Sequence, residues 1–268
     1  MVPRPLGRTG LNVAPIGLGT VKLGRNTDVK YPAPFALPSD DAVRDLLETA
    51  FDLGVTLIDT APAYGESERR LAPHLAGRRD RVVLSTKCGE RYADGRSTYD
   101  FSAPALTASI AESLRRLGVP SVDLLLLHSD GRDVEILTRT EAVATLRKLK
   151  AEGKTRAIGV SAKTPEGIRE AQKLGLDVVM APFSRTDPSL EQSLREAHNE
   201  GLGVLAIKAL GGGRLGDRAG DALAFVLDQP FIDAVVLGTL SPAHLREAVE
   251  RGTGALRELA HPGQKGRP

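Results

Sequence analysis

The stretch from Val122 to Phe183, VDLLLLHSDGRDVEILTRTEAVATLRKLKAEGKTRAIGVSAKTPEGIREAQKLGLDVVMAPF, decides the fold class. It opens with the apolar run Leu124 to Leu127, which suits burial on both faces and therefore a parallel strand. A helical pattern follows from Glu141 to Glu152, then a short apolar run at Ala157, a second helical pattern from Pro165 to Leu174, and another run at Val178. Thr164 stands before Pro165, where its oxygen can accept an orphan amide hydrogen and proline tolerates the first turn. Gly153 and Gly175 follow the two helical patterns, where a left-handed residue is often needed. The segment thus reads strand, helix, strand, helix, strand.

The same alternation extends in both directions. Strands are predicted to begin near Ile16, Val55, Val82, Val122, Ala157, Val178, Val204 and Val235. Further helices are predicted over Asp41–Leu53, Glu68–Leu75, Ala105–Leu117, Ser189–Glu200, Ala219–Leu227 and Pro242–Arg251. Asp187-Pro188 and Ser241-Pro242 read as caps, and Gly54, Gly118, Gly201 and Gly252 as helix ends. Strands strictly alternating with helices over about 250 residues point to a single-domain α/β (β/α)8 TIM barrel. An open doubly wound sheet shows the same alternation, but no strand here leads into a G-x-G-x-x-G turn with an acidic residue about 20 positions on. Gly17, Gly19 and Gly24 do not reproduce that spacing. The barrel is predicted over residues 1–260, with 261–268 as a frayed tail.

Composition narrows the function classes. Of 268 residues, 41% are hydrophobic and 26% charged, too apolar for a disordered chain. Thirty-six basic and 34 acidic side chains leave +2, which gives no electrostatic case for nucleic acid or anionic lipid. No apolar run approaches the roughly 20 residues that span a bilayer. The N-terminus lacks the apolar segment of a signal peptide, so a cytoplasmic enzyme is expected. Cys88 is the single cysteine, so no intramolecular disulfide can form. The five histidines are isolated, and no metal is expected. Cys88 reads as a small buried residue, and Gly211-Gly-Gly213 as a weak phosphate-cradle signal.

In a barrel, chemistry belongs to the C-terminal strand ends and the loops after them. Three predicted strands end in an ionisable residue: Asp59, Lys87 and His128. Tyr64 lies in the loop after Asp59. An unperturbed phenol has a pKa of about 10, too high for efficient proton donation at neutral pH. A neighbouring ammonium stabilises the phenolate, and a carboxylate behind it holds the lysine. Asp59, Lys87 and Tyr64 therefore read as a general acid whose pKa is tuned downward, with His128 orienting a carbonyl. Such a site needs an external hydride source. Alternatives remain open: a structural ion pair at the rim, a hydrogen-bonded rim histidine, or a Schiff-base aldolase using Lys87.

These residues carry a family resemblance. Arg4–Leu11, Ile16–Thr20, Gly54-Val-Thr-Leu-Ile-Asp-Thr-Ala-Pro-Ala-Tyr-Gly-Glu-Ser-Glu68, Ser85-Thr-Lys87, Ser113–Gly118, Asp123–His128, Ala157–Ser161 and Gly238–Leu245 together resemble the aldo-keto reductases. The resemblance spans nearly the whole chain and implies a barrel that uses a nicotinamide cofactor without a Rossmann motif. It implies Asp59, Tyr64, Lys87 and His128 as the catalytic tetrad. It places Thr20, Val21 and Asp59 near the nicotinamide and its ribose, Ser161 on the carboxamide, and Phe183 stacked on the ring. Lys208 and the loop from Leu210 to Leu215 match the pyrophosphate strap, with Gly238, Thr239, Ser241, His244 and Glu247 beside the adenosine end. NADPH is the expected cofactor, NADH the alternative. The expected partner is a small carbonyl substrate, and the expected state a monomer or small homo-oligomer.

The chain also departs from the family pattern. Ala162, Met180 and Ala248 stand where polar side chains usually contact the cofactor, each loss weakening binding by about 1 kcal/mol. Phe183 keeps a ring without the usual hydroxyl. Six of the ten aromatic residues, Tyr31, Phe35, Tyr64, Tyr92, Tyr99 and Phe101, fall in the first three βα loops. Either they line the mouth for a small, partly apolar aldehyde or ketone, or they pin the long loops 26–39 and 89–102 to the barrel. A short segment after Gly252 predicts an open pocket. A non-catalytic subunit that senses a nicotinamide cofactor is the remaining alternative.

Overall fold

The computed structural model of the protein describes residues 1–29, 34–211 and 219–260. In chain order its elements are β1 (Arg4–Pro5), β2 (Asn12–Val13), β3 (Ile16–Gly19), α1 (Val21–Gly24), α2 (Asp40–Asp52), β4 (Leu57–Asp59), α3 (Ser67–Leu75) and β5 (Val83–Cys88). Next come β6 (Glu90–Ala93), β7 (Arg96–Tyr99), α4 (Ala103–Leu117), β8 (Val122–His128), α5 (Asp133–Arg139) and α6 (Ala142–Ala151). The chain then continues through β9 (Thr155–Ser161), α7 (Pro165–Lys173), β10 (Val178–Pro182), α8 (Glu191–Asn199), β11 (Gly203–Ile207), α9 (Ala219–Leu227), β12 (Ala234–Leu237) and α10 (Pro242–Ala260).

Strands β3, β4, β5, β8, β9, β10, β11 and β12 pair in parallel and close on themselves, so the predicted (β/α)8 barrel is what forms. Alternation along each strand divides the core in two. Leu57, Val83, Leu124, Leu126, Val178, Met180, Leu205 and Val236 fill the barrel, while Ile58, Leu84, Leu125, Leu127, Val179, Ala181 and Val235 face the helices. The antiparallel pair β1–β2 closes the N-terminal end, where Leu6, Leu11 and Val13 join the interior cluster. The C-terminal strand ends are left as the chemical face.

Several local features differ from expectation. The predicted loop 89–102 contains the antiparallel pair β6–β7, and α5 is a helix that the sequence pattern did not predict. Thr164 caps α7 by accepting from Gly167 N, and Ser241 caps α10 by accepting from His244 N. Asp187 caps nothing: α8 starts at Glu191, and Asp187 instead closes a turn with Ser184. Gly54, Gly118, Gly153, Gly175 and Gly201 do take positive φ, but Gly252 lies inside α10. A side chain there would meet Leu227 Cδ1 at 2.7 Å and Ile16 Cδ1 at 2.9 Å, so Gly252 lets α10 lie close on the barrel. Tyr31, the Gly212–Leu215 part of the expected strap and the tail from His261 lie outside the described residues. Among the described residues no helix is long and apolar enough to cross a membrane.

Candidate active site

Side chains alternate across a strand, so the barrel-facing parity can be followed to each strand end. It leads to Gly19, Asp59, Lys87, His128, Ser161, Pro182, Ile207 and Gly238. Asp59, Lys87 and His128 therefore point into one mouth, and Tyr64 joins them from a 3-10 turn, Pro62–Tyr64, directly after β4. That turn packs tightly against α1. A Cβ on Gly24 would lie 2.3 Å from Tyr64 O, and one on Gly65, where φ is +60°, would lie 2.2 Å from Gly24 O. Both positions require glycine, which accounts for Gly24 without any phosphate-binding role.

The ammonium of Lys87 is 1% exposed and all its hydrogens are used. It donates to Asp59 Oδ2 at 2.6 Å, Asp59 Oδ1 at 2.8 Å, Thr60 O at 3.0 Å and Tyr64 Oη at 3.1 Å. Ser85 Oγ also donates to Asp59 Oδ1 at 2.8 Å. Thr20 Oγ1 donates to Asp59 O at 2.9 Å and itself accepts from Ser67 Oγ at 2.7 Å. The carboxylate is thus fixed from side chain and backbone before the lysine reaches it. Burial pulls the Lys87 ammonium down, but Asp59 and Tyr64 outweigh it and the net direction is up. An ammonium held charged and buried this way is a poor imine nucleophile, which removes the ground for the aldolase alternative.

Burial pushes the Tyr64 phenol above its ordinary value, with Lys87 pulling against it and Asp59 adding to the rise. The sequence reading expected the opposite net direction, because a lysine is visible in sequence and the desolvation of a phenol is not. In the ligand-free chain Tyr64 therefore keeps its proton.

The His128 ring meets Tyr64 edge-on, with centroids 6.0 Å apart. Glu90, at the start of β6, places Oε2 2.7 Å from His128 Nδ1. Burial lowers the His128 pKa, with Glu90 opposing it. Glu90 itself is driven up by burial, yet His128, Ser97 and Arg25 bring it down to about 2. Nothing in the sequence singles out Glu90 or Arg25, because the hairpin that delivers Glu90 carries the sequence pattern of a loop.

Ser161 pairs with His128 across β8–β9 and with Met180 across β9–β10, so the three share one row at the mouth. Behind them the buried Asp133 carboxylate accepts from Lys163 N, Thr164 N and Thr164 Oγ1, and from Ser129 Oγ, tying the loop after His128 to the loop after Ser161. Val21 is half-buried at the start of α1. Ala162 is buried, with its amide on Met180 O.

Two expected cofactor contacts are corrected. Phe183 is 0% exposed and packs against Phe225 and Phe231 at ring separations of 5.9 and 5.5 Å. It has the parity of Val179 and Ala181, which face the helices, whereas Ile207 at the end of β11 faces the mouth. Counting by two from Leu205 would have found it. Thr20 is likewise fully buried, and its hydroxyl serves Asp59 rather than a ligand.

The remaining expected contacts gather at the ends of β11 and β12, which are adjacent strands. Lys208 is exposed with φ of +59°, an uncommon conformation for a non-glycine residue, and Leu210 is half-buried beside it. Gly238 is half-buried, Thr239 is buried and accepts from Ser241 N, and His244 is exposed on the first turn of α10. Glu247 pairs with Arg251 at 2.9 Å, and Arg246 reaches Thr49 Oγ1 on α2 at 3.2 Å. Ala248 is buried.

The loop aromatics mostly make contacts of their own. Tyr92 lies under the Arg25 guanidinium at 3.7 Å, Tyr99 stacks on Phe101, and Lys22 stands 5.3 Å over Phe35. These rings pin loops, the plainer of the two sequence readings. Cys88 is buried and its thiol is pushed up to about 12.

The sequence profile described as the Aldo/keto reductase family matches residues 15–221. D-threo-aldose 1-dehydrogenase from a Pseudomonas species is 32% identical, over 77% of this chain and 68% of its own. NADH-specific methylglyoxal reductase of Escherichia coli is 32% identical, over 71% of this chain and 61% of its own. The chain thus spans about two thirds of the length of these curated relatives. Among solved structures, one from Pseudomonas aeruginosa assigned to the aldo-keto reductases superposes with a TM-score of 0.87 and 41% identity, covering 95% of both chains. With a closed eight-stranded parallel barrel, the matched profile and these relatives, the chain belongs to the aldo/keto reductase family of NAD(P)H-dependent oxidoreductases.

Proposed function

We propose that the protein reduces aldehydes or ketones to alcohols, with Tyr64 as the proton donor. The observation that carries this reading is the Tyr64 phenol, still protonated and 3.1 Å from an ammonium clamped by Asp59. A bound reduced nicotinamide supplies the hydride that goes to the carbonyl carbon. Tyr64 holds the carbonyl oxygen by its O–H and gives up that proton as charge develops there. The phenolate left behind faces the Lys87 ammonium, which stabilises it without moving, and solvent returns the proton. A positioned general acid of this kind contributes about 10²–10⁴-fold. His128 flanks the same oxygen, and Ser161 beside it supports an amide contact to the cofactor. The surrounding burial excludes water, which strengthens the Lys87–Tyr64 interaction.

The residues present fit a dinucleotide. Lys208 lies next to the end of β12, and Ser241 and His244 open the long helix α10, whose first amides favour an anion. The apolar face toward a nicotinamide ring is assigned to Ile207 in place of Phe183. NADPH is the reductant proposed first, its 2′-phosphate lying by Thr239, Ser241 and His244; the NADH-specific relative makes NADH the alternative.

Titration with NADPH and with NADH, followed by the nucleotide's own fluorescence in a chain without tryptophan, tests the cofactor. A screen of small and bulky carbonyls then tests the substrate class. Binding of one nucleotide with turnover of small aldehydes or ketones is expected. Binding of neither nucleotide overturns the proposal.

A further inference from the structure

The chain after α1, the 3-10 turn that carries Tyr64 and the β6–β7 hairpin follow the C-terminal ends of β3, β4 and β5, three neighbouring strands. Arg25 meets all three. Its Nε donates to Thr27 O at 3.0 Å, and its Nη2 to Asp28 O and Asp28 Oδ2, both at 2.8 Å. Nη2 also reaches Ser97 Oγ at 3.2 Å, while Nη1 donates to Ala63 O at 3.1 Å and to Glu90 Oε1 at 3.3 Å. Ser97 Oγ passes its own hydrogen to Glu90 Oε1 at 2.5 Å. The guanidinium lies 3.7 Å from the centre of the Tyr92 ring, whose hydroxyl is hydrogen-bonded to Thr27 Oγ1. Arg25 is 6% exposed, so its five N–H groups are served by these acceptors rather than by water.

We propose that Arg25 is a positioning residue for Tyr64: it grips the 3-10 turn by the carbonyl of Ala63 and braces that turn against the loop on one side and the hairpin on the other. The inference rests on the proposed reading of Tyr64 as the proton donor. On the strand side the turn is tied down by Lys87, which donates to Thr60 O at 3.0 Å. On the other side Gly24 lies so close that a Cβ there would stand 2.3 Å from Tyr64 O, and Arg25 extends that contact. The charge of Arg25 is already answered by Asp28 and Glu90, so its part is to hold the turn and not to attract an anionic substrate. A planar fork can donate in three directions and stack on a ring at once; a lysine ammonium is a point charge that cannot. A shift of about 1 Å in a reacting group can cost about 10²-fold in rate, which is what a loosened turn would impose on Tyr64.

The experiment compares wild type with Arg25→Met, Arg25→Lys and Arg79→Met in the full chain. Arg79 serves as the control because it makes a similar set of bonds at the opposite end of the barrel, to Val82 O at 3.0 Å, Ser121 O at 3.1 Å and Asp123 Oδ2 at 2.7 Å. Single-turnover oxidation of bound reduced nucleotide by a small aldehyde is expected to slow by about 10–100-fold in Arg25→Met, with nucleotide affinity within about twofold of wild type. Arg25→Lys, which keeps the charge and loses the fork, is expected not to restore the rate. Arg79→Met is expected to lower the unfolding midpoint and leave the single-turnover rate unchanged. Amide hydrogen exchange should quicken in Arg25→Met at residues 60–66 and 89–99 together, with the barrel strands unchanged. A single-turnover rate within about twofold of wild type in Arg25→Met overturns the inference, as does full recovery in Arg25→Lys. Should Arg25→Met fail to fold, Arg25→Lys carries the same comparison. Should the wild-type protein reduce no carbonyl, hydrogen exchange decides alone: quickening confined to the loop after α1 overturns the inference, so the two failures are distinguishable.

Discussion

Replacing Lys87 by methionine keeps the length of the side chain and removes the ammonium. In the structure this strips Asp59 of its 2.6 and 2.8 Å contacts and leaves the carboxylate, 2% exposed, with Ser85 Oγ as its side-chain donor. Breaking a buried ion pair by removing one partner costs about 3–5 kcal/mol, because the other charge stays buried. For a domain of this size each kcal/mol moves the unfolding midpoint by about 2–4 °C, so Lys87→Met is expected to lower it by roughly 6–20 °C. Asp59→Asn is expected to cost a similar amount, stranding the ammonium instead. The double variant strands neither charge. Its cost should fall below the sum of the singles by at least about 2 kcal/mol, within the range seen for residues in direct contact. Thermal and urea unfolding of the four proteins measure the cycle. Additivity within about 0.5 kcal/mol would refute the reasoning, since it would mean that the two groups do not share a buried site.

Three further outcomes follow from the structure. Cys88, buried with its thiol pushed up to about 12, is expected to resist thiol reagents at pH 8 until the chain unfolds; rapid labelling of the native protein would contradict its placement. Glu90, held at about 2 against an ordinary 4.5, contributes stability that is present above pH 4.5 and lost as pH falls toward 2. The stability gap between wild type and Glu90→Gln, measured by urea unfolding at pH 6 and pH 3, should therefore narrow by about 2 kcal/mol, at about 1.4 kcal/mol for each of the roughly 1.5 pH units between 4.5 and 3. Phe183→Leu, which thins the cluster with Phe225 and Phe231, is expected to lower the unfolding midpoint while leaving nucleotide affinity within about twofold; a large loss of affinity would restore the ring to the cofactor site.

What the sequence disclosed and what it concealed divide along physical lines. The barrel was legible because short apolar runs and runs of period 3.6 alternate from Ile16 to Leu237. Asp59, Lys87 and His128 were legible because an ionisable residue closing an apolar strand is conspicuous, and Tyr64 because it follows within five residues. Phe183 was misplaced because resemblance by position ignored parity: one residue along from Pro182 turns the side chain from the mouth to the helix layer. Glu90 was invisible because its significance arises from a hairpin too short for a periodic signal and from a partner 38 residues away, a separation read directly from its pairing with His128. The net direction of the Tyr64 pKa was also out of reach, since it depends on how much surrounding chain excludes water from the phenol. Sequence shows charges; burial belongs to the folded chain.

In the proposed function Tyr64 donates the proton during hydride transfer. Tyr64→Phe removes one oxygen and leaves the ring, so reduced-nucleotide affinity, read by fluorescence titration, should stay within about twofold of wild type. Single-turnover oxidation of the bound nucleotide by a small aldehyde should then slow by about 10²–10⁴-fold. Retention of the wild-type single-turnover rate in Tyr64→Phe would contradict the account.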